Sequence, residues 1–441
     1  MNKDNKQKKI ALLGLGLDNL SLLNLLLKQN LDYSITICDK RKKSMLPKFK
    51  DSEQIKYQLG STFNKNLDQF DIMFRSPGWP ILCPGIQSAL KKGTKLSSAL
   101  EVFFNTSPSK NIIGITGTKG KGTTSTLIYK ILSSHFKKSN TKVWLGGNIG
   151  ISPLSFLSKV KKDDYVVLEL SSFQLEDLKI SPKISVLTNL FKEHLAPADP
   201  NNPNYHKTLG KYFDAKLNIA RHKENKYLIC NQALKSKIKD KNISGKVIYF
   251  SNSDLPTKLK GDYNNENIAA AIEVAKLLKI KPEVYKQVIK NFGNLENRLE
   301  EVANIKGVSY LNNSFSTTPE STKLDLLSFE NDIILLAGGA DKGANFNDLA
   351  KTIKERVKLL ILFPGKGSDE IEKSLNKINF DKKKLIKVDS MKEAVRIAHK
   401  SSEGNDIILL STACASFGLF KNYKERGKLF KQEVDKLNKN V

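Results

Sequence analysis

One short stretch carries the residue types needed to handle a phosphoryl group. In Ile112–Thr126, IIGITGTKGKGTTST, an apolar strand (Ile112, Ile113, Ile115) breaks into a loop of Gly117, Thr118, Lys119, Gly120, Lys121, Gly122 and Thr123. The pattern resumes as a helix through Leu127, Ile128, Ile131 and Leu132. Strand, glycine loop and helix together aim backbone N–H groups and a helix N-terminus at an anion. Lys121 would add a mobile cation for β- and γ-phosphates. The stretch departs from the strict G-x-x-x-x-G-K-[ST] pattern, with Ile115 in place of its first glycine and Gly122 in place of its hydroxyl residue. A Gly/Lys-rich turn without ligand is the alternative.

Other candidates lie at predicted strand ends. Glu169 closes the buried run Tyr165–Leu168. A carboxylate there would hold Mg²⁺ beside the phosphates, or else cap the helix that follows. His194 ends the apolar segment KISVLTNLFKEHL (183–195), as a ligand or as a satisfied loop residue. Lys216, in AKLNIA, is expected near the start of a helix. Asn264 and Asn267, three apart, share one helical face. They would read a base as an amide pair, or serve as an N-cap and a surface amide. Lys342 and Ser416 lie just past strand ends, and Ser76-Pro77-Gly78 follows the strand Ile72–Phe74.

Positioning these residues takes a repeated strand–helix alternation, hence an α/β chain of three domains. Residues 9–17 (KIALLGLGL) read as a strand entering a Gly14-x-Gly16 turn, with a leucine helix over 20–27 and a second strand ending at Asp39. Asn19 at the third glycine position weakens a dinucleotide reading. NTSPSK (105–110) is a polar joint, and a fresh α/β pattern begins after GNLENRLE. The expected domains are a Rossmann-like unit over 1–107, a central P-loop-type ATPase with a parallel sheet over 108–296, and a second Rossmann-like unit over 297–441.

Net charge is +28, but the lysines are spread along the chain without a basic domain interleaved with aromatics, which argues against nucleic acid as partner. Cys38, Cys83, Cys230 and Cys414 share no CxxC spacing, as expected of reduced thiols. The N-terminal KQKK-IALLGLGL is interrupted by Asp18 and Asn19 and lacks a small-residue cleavage site. No apolar run is long enough to span a membrane. The expectation is a cytoplasmic monomer.

Taken together, ITGTKGK (115–121), GGNIG (146–150), LELSSFQLE (168–176), the Asn264/Asn267 helix start and STACASF…KNYKERG (411–427) resemble the Mur ligase family over essentially the whole chain. LELSSFQLE is typical of its D-glutamate-adding members. The resemblance implies ATP-dependent amide ligation through an acyl phosphate, with UDP-N-acetylmuramoyl-L-alanine and D-glutamate as substrates. It implies Mg²⁺ in two sites, held by Thr123, Glu169, His194 and a carbamylated Lys216. Asn267 and Arg298 match nucleotide contacts. Asp39, Arg41, Ser76, Gly78, Asn148, Ser171 and Gln174 match the UDP-sugar side. Lys342, Ser416 and Phe417 match the D-glutamate side.

The chain departs from that pattern at Gly122, where Thr123 is the next hydroxyl but one residue along a helix turns a side chain by about 100°. Asn313-Ser314-Phe315 replaces Asp-Ser-Lys, removing a charge partner for D-glutamate, and Asn297 replaces a histidine. Three rivals follow. One is a folylpolyglutamate-type or other Mur-type ligase, one an NAD-dependent dehydrogenase suggested by GLGLDNL and Asp39, and one a catalytically weakened nucleotide-binding paralogue.

Overall fold

The computed structural model describes residues 7–29, 32–195, 204–341 and 343–438. The chain forms two compact units, Met1–Asp254 with Asn265–Val288, and Leu255–Asn264 with Ile289–Val441.

The first unit contains two parallel sheets. One runs in the order Ile55–Leu59, Tyr33–Asp39, Lys8–Leu13, Ile72–Arg75, Lys95–Ser97. The other runs Lys246–Phe250, Tyr227–Asn231, Ile184–Leu187, Ile112–Thr116, Tyr165–Glu169, Val143–Gly147. Its central strands are buried along their whole length, as near-continuous Ile/Val/Leu runs covered on both faces should be. The Ile112–Thr116 strand is flanked on one side by Tyr165–Glu169 and on the other by Ile184–Leu187. The chain reverses its direction of winding there, and the crevice outside such strand ends is where open α/β sheets bind ligands.

The second unit holds one mixed sheet, in the order Glu300–Ile305, Val308–Asn312, Ile407–Leu410, Ile333–Gly338, Val357–Phe363, Leu385–Lys387. The strands expected in this region are present. The antiparallel edge strand Glu300–Ile305 was not foreseen. It pairs through Lys306-Gly307, both at positive φ (50° and 87°). A lysine takes the place that asparagine usually signals in such a tight hairpin, so the turn is silent in the sequence.

Lys216 corrects another expectation. It lies in the last turn of the helix Leu209–Leu217, not near a helix start. Thr208 begins that helix by accepting from Lys211 N at 3.1 Å, a cap hidden behind the proline-rich insert. Among the described residues no helix is long and apolar enough to cross a membrane, and all four cysteines are free.

Candidate functional site

The glycine loop connects Ile112–Thr116 to the helix Lys121–His135 and is tied to the neighbouring strand end. Thr118 N donates to Asn189 O (3.1 Å) and Lys119 N to Asn189 Oδ1 (2.8 Å). Thr188 Oγ1 donates to Lys119 O at 2.7 Å. Gly120, the residue before the helix, has φ +80°, and a Cβ there would overlap the Asn267 side-chain oxygen. Asn267 Oδ1 also accepts from Thr124 Oγ1 at 3.2 Å, so the predicted nucleotide amide sits directly against the loop. Asn264 instead turns back on its own segment, donating to Lys260 O at 2.7 Å.

Cations gather on the loop. Lys121 Nζ donates to Gly117 O (3.1 Å) and Thr118 O (3.0 Å), and Lys216 Nζ to Gly117 O (2.8 Å). Lys216 is 2% exposed, with its ammonium 4.4 Å from the Tyr212 ring centroid. Burial, reinforced by the charge of Lys121, pushes its pKa well below the usual lysine range. Lys119 pairs with Glu193 at 3.2 Å. Burial raises the Glu193 pKa, but Lys119, His194 and Lys121 outweigh it and bring the carboxyl to about 2.

Glu169 ends its strand 2% exposed. Its Oε1 accepts from Asn148 Nδ2 at 2.8 Å, whereas Oε2 is buried with no hydrogen-bond partner among the described residues. Gly147 permits the approach, since a Cβ there (φ +95°) would overlap the Glu169 carbonyl. The helix after Glu169 is capped by Ser171, not by Glu169. An orphaned buried carboxylate oxygen is costly unless something cationic meets it, and a hard oxygen donor suits Mg²⁺. Among the described residues no three His, Cys, Asp or Glu side chains cluster as metal ligands. His194 is exposed at φ +59°, its ring edge-on to Phe173 at 5.0 Å. Thr123 is buried on the first helical turn.

A cavity of about 1450 Å³ lies in the same unit. Asp39, Arg41, Ser76 and Gly78 are among the residues lining it. Asp39 is occupied structurally, accepting from Leu15 N (2.8 Å) and from Arg41 (2.7 Å). Asn19 donates to Gly14 O at 2.9 Å and Phe74 O at 3.0 Å, so the third dinucleotide glycine is replaced by a buried anchor. Ser171 and Gln174 form a capping box, and Gln174 Nε2 reaches Asp18 at 3.1 Å. These two are not among the residues lining the large cavity, and Asn148 is engaged by Glu169.

Three features escaped the sequence reading. Arg75, 2% exposed, binds Asp177 (2.7 Å) and Glu176 (3.0 Å), joining the Ser76–Gly78 loop to the segment after LELSSFQL. His206 donates to or accepts from Ser172 at 2.9 Å, stacks on Phe173 at 4.7 Å, and lines the cavity with Glu176. Glu193 is the third. An arginine ending an apolar strand and the pair Glu176-Asp177 at the end of the motif were the available signals.

In the second unit Arg298 stacks on Phe315, guanidinium carbon to ring centroid 3.8 Å. Ser416 is buried, and Phe417 lines a separate cavity of about 510 Å³ with Asp341, Lys366 and Leu419. Lys342 and residues 196–203 of the proline-rich insert lie outside the described residues.

Family models match in three consecutive blocks. These are the Mur ligase MurD-like N-terminal domain over 8–98, the Mur ligase middle domain over 115–262, and the Mur ligase glutamate ligase domain over 297–414. A UDP-N-acetylmuramoylalanine–D-glutamate ligase of Acetivibrio thermocellus is 36% identical over 98% of this chain and 97% of its own length. The chain belongs to the Mur ligase family. Among solved structures, a Mur ligase from Thermotoga maritima, MurF in complex with ADP, superposes with a TM-score of 0.60 at 16% identity, covering 99% of this chain and 97% of its own. FolC of E. coli with DHPP and ADP gives 0.57 at 14% identity, covering 77% of this chain and 92% of its own. At those identities the likeness concerns the Mur ligase fold alone. A Mur ligase is an ATP-dependent amide-forming enzyme, which fits a loop built for phosphate beside an orphaned acid.

Proposed function

We propose that the chain joins D-glutamate to UDP-N-acetylmuramoyl-L-alanine in peptidoglycan precursor synthesis, at the expense of ATP. The γ-phosphoryl group passes to the terminal carboxylate of the UDP-sugar, giving an acyl phosphate and ADP. The D-glutamate amine attacks the acyl carbon, a C–N bond forms, phosphate departs, and the amine gives up a proton. The observation that carries this is the convergence, at the ends of adjacent strands, of the glycine loop, Lys121, the buried Lys216 and Glu169 Oε2, which has no hydrogen-bond partner among the described residues.

Each group has a physical task. The loop amides and Lys121 would neutralise charge on the transferring group, and Lys121 now rests on carbonyls from which phosphate oxygens would draw it. Asn267 and Arg298 would hold the nucleotide. The Lys216 amine, in its deprotonated form, would add to the carbon of CO₂ and release a proton, leaving an anionic carbamate. Glu169, His194, Thr123 and that carbamate would hold Mg²⁺ in two sites, whose charge offsets that of the phosphates. Asp39, Arg41, Ser76 and Gly78, with Asn148, Ser171 and Gln174 toward the centre, would serve the UDP-sugar. Lys342, Ser416 and Phe417 would serve D-glutamate.

The reading includes the division 1–107, 108–296 and 297–441, a cytoplasmic monomer, and no nucleic-acid partner. The N-terminal match over 8–98 favours it over a folylpolyglutamate-type activity, and the engaged Asp39 and Asn19 disfavour NAD. Gly122 motivates a second reading, a weakened paralogue that retains nucleotide binding.

Phosphate release should require ATP, Mg²⁺, the UDP-sugar and D-glutamate together, and Glu169→Ala should abolish it. ATP binding without release under any substrate combination would leave the paralogue.

A further inference from the structure

We propose that Phe315 is a positioning residue for Arg298 and so sets nucleotide affinity, resting on the reading above that Arg298 contacts the nucleotide. The position was expected to hold a lysine facing the amino acid, and its replacement by an aromatic removes that charge. The structure gives the ring a different use. The Arg298 guanidinium carbon lies over the Phe315 ring, 3.8 Å from its centroid, and Tyr423 closes edge-on against Phe315 at 5.1 Å and 87°. Tyr423, Phe315 and Arg298 form one stack within the second unit.

The backbone is built to hold the stack in register. Arg298 sits between Asn297 and Leu299, both in the left-handed region at φ +61° and +49°. Asparagine tolerates that conformation better than most residues. Asn297 accepts through its amide oxygen from Asn312 at 3.0 Å, and its N–H donates to Glu300 at 2.9 Å. Phe315 N donates to Asn297 O at 3.1 Å, so the loop carrying the ring is pinned to the turn carrying the arginine.

Stacking uses the face of a guanidinium and leaves its N–H edge for hydrogen bonds in the plane. A phosphate or base oxygen needs that edge. A lysine at 315 would instead put a like charge beside Arg298. Phe315 is 38% exposed, so replacing it does not open the core.

The test is steady-state kinetics on the full chain with ATP varied at saturating UDP-sugar and D-glutamate. Phe315→Leu should raise KM for ATP about 2- to 5-fold with kcat nearly unchanged. Phe315→Trp should restore the parent KM, and Phe315→Lys should raise it at least as much as leucine does. A KM unchanged in Phe315→Leu, while Arg298→Ala raises it, would overturn the positioning role and leave the nucleotide reading standing. A KM indifferent to Arg298→Ala would overturn the reading on which the role depends. A tryptophan variant as impaired as leucine would also overturn it, since the stack would then be irrelevant.

Discussion

Asn313 donates through its side-chain amide to the carboxylate of Asp325 at 2.6 Å, deep in the second unit. Asp325 is 1% exposed and also accepts from Ser411 Oγ at 2.7 Å. An aspartate at 313, as the family resemblance led one to expect, would set two carboxylates against each other in a buried place. The amide at 313 and the acid at 325 are therefore complementary. Asn313→Asp should lower unfolding free energy by about 2–4 kcal/mol. Adding Asp325→Asn should recover most of it. Urea unfolding of the two single variants and the double variant measures the coupling directly.

Lys216 makes a chemical prediction. Its buried amine, with a pKa pushed down by burial, should carry a carbamate, so protein equilibrated with carbon-13-labelled bicarbonate should give a carbamate resonance that Lys216→Ala lacks. Stripping CO₂ from the assay should slow turnover, and bicarbonate should restore it. Lys216→Ala should lose on the order of 10²-fold or more in kcat, the scale seen when a charge-stabilising group is removed.

His206 sets an acid limit on stability. Burial, then the charges of His194, Lys216 and Arg75, lower its pKa from 6.5 to about 4. The unfolded chain therefore binds a proton that the folded chain refuses between those values. Stability from this residue is full above pH 6.5 and is lost as pH falls toward 4, amounting to about 2 kcal/mol by pH 5. His206→Gln should flatten that part of a stability–pH curve measured by thermal or urea unfolding.

Gly122 bears on the metal. If a missing hydroxyl weakens Mg²⁺ binding, Gly122→Ser should lower the Mg²⁺ concentration for half-maximal rate several-fold. An unchanged Mg²⁺ curve would assign any deficit elsewhere.

The strands and the glycine loop were legible because buried parallel strands are written as continuous apolar runs. Ile112–Thr116, Tyr165–Glu169 and Ile333–Gly338 all lie where those runs put them. Glu169 was legible for the same reason, since a carboxylate ending such a run is conspicuous. What pairs with what across distant segments was not. Nothing near Arg75 announces Asp177, and nothing near Phe315 announces Arg298. The Lys306-Gly307 hairpin and the Thr208 cap were missed because ordinary residues occupy positions that stronger turn and cap formers usually advertise.

The contact between Gly120 and Asn267 constrains how this sequence is able to drift. Asn267 could shorten without collision, but any side chain at 120 would displace the amide that holds Thr124 and stands over the loop. The two positions, 147 residues apart in the chain, thus behave as a one-way ratchet: change is admissible at the second site first and at the glycine only afterwards. A loop transplanted from this chain into another scaffold would carry its glycine in vain unless the helix bearing Asn267 travelled with it.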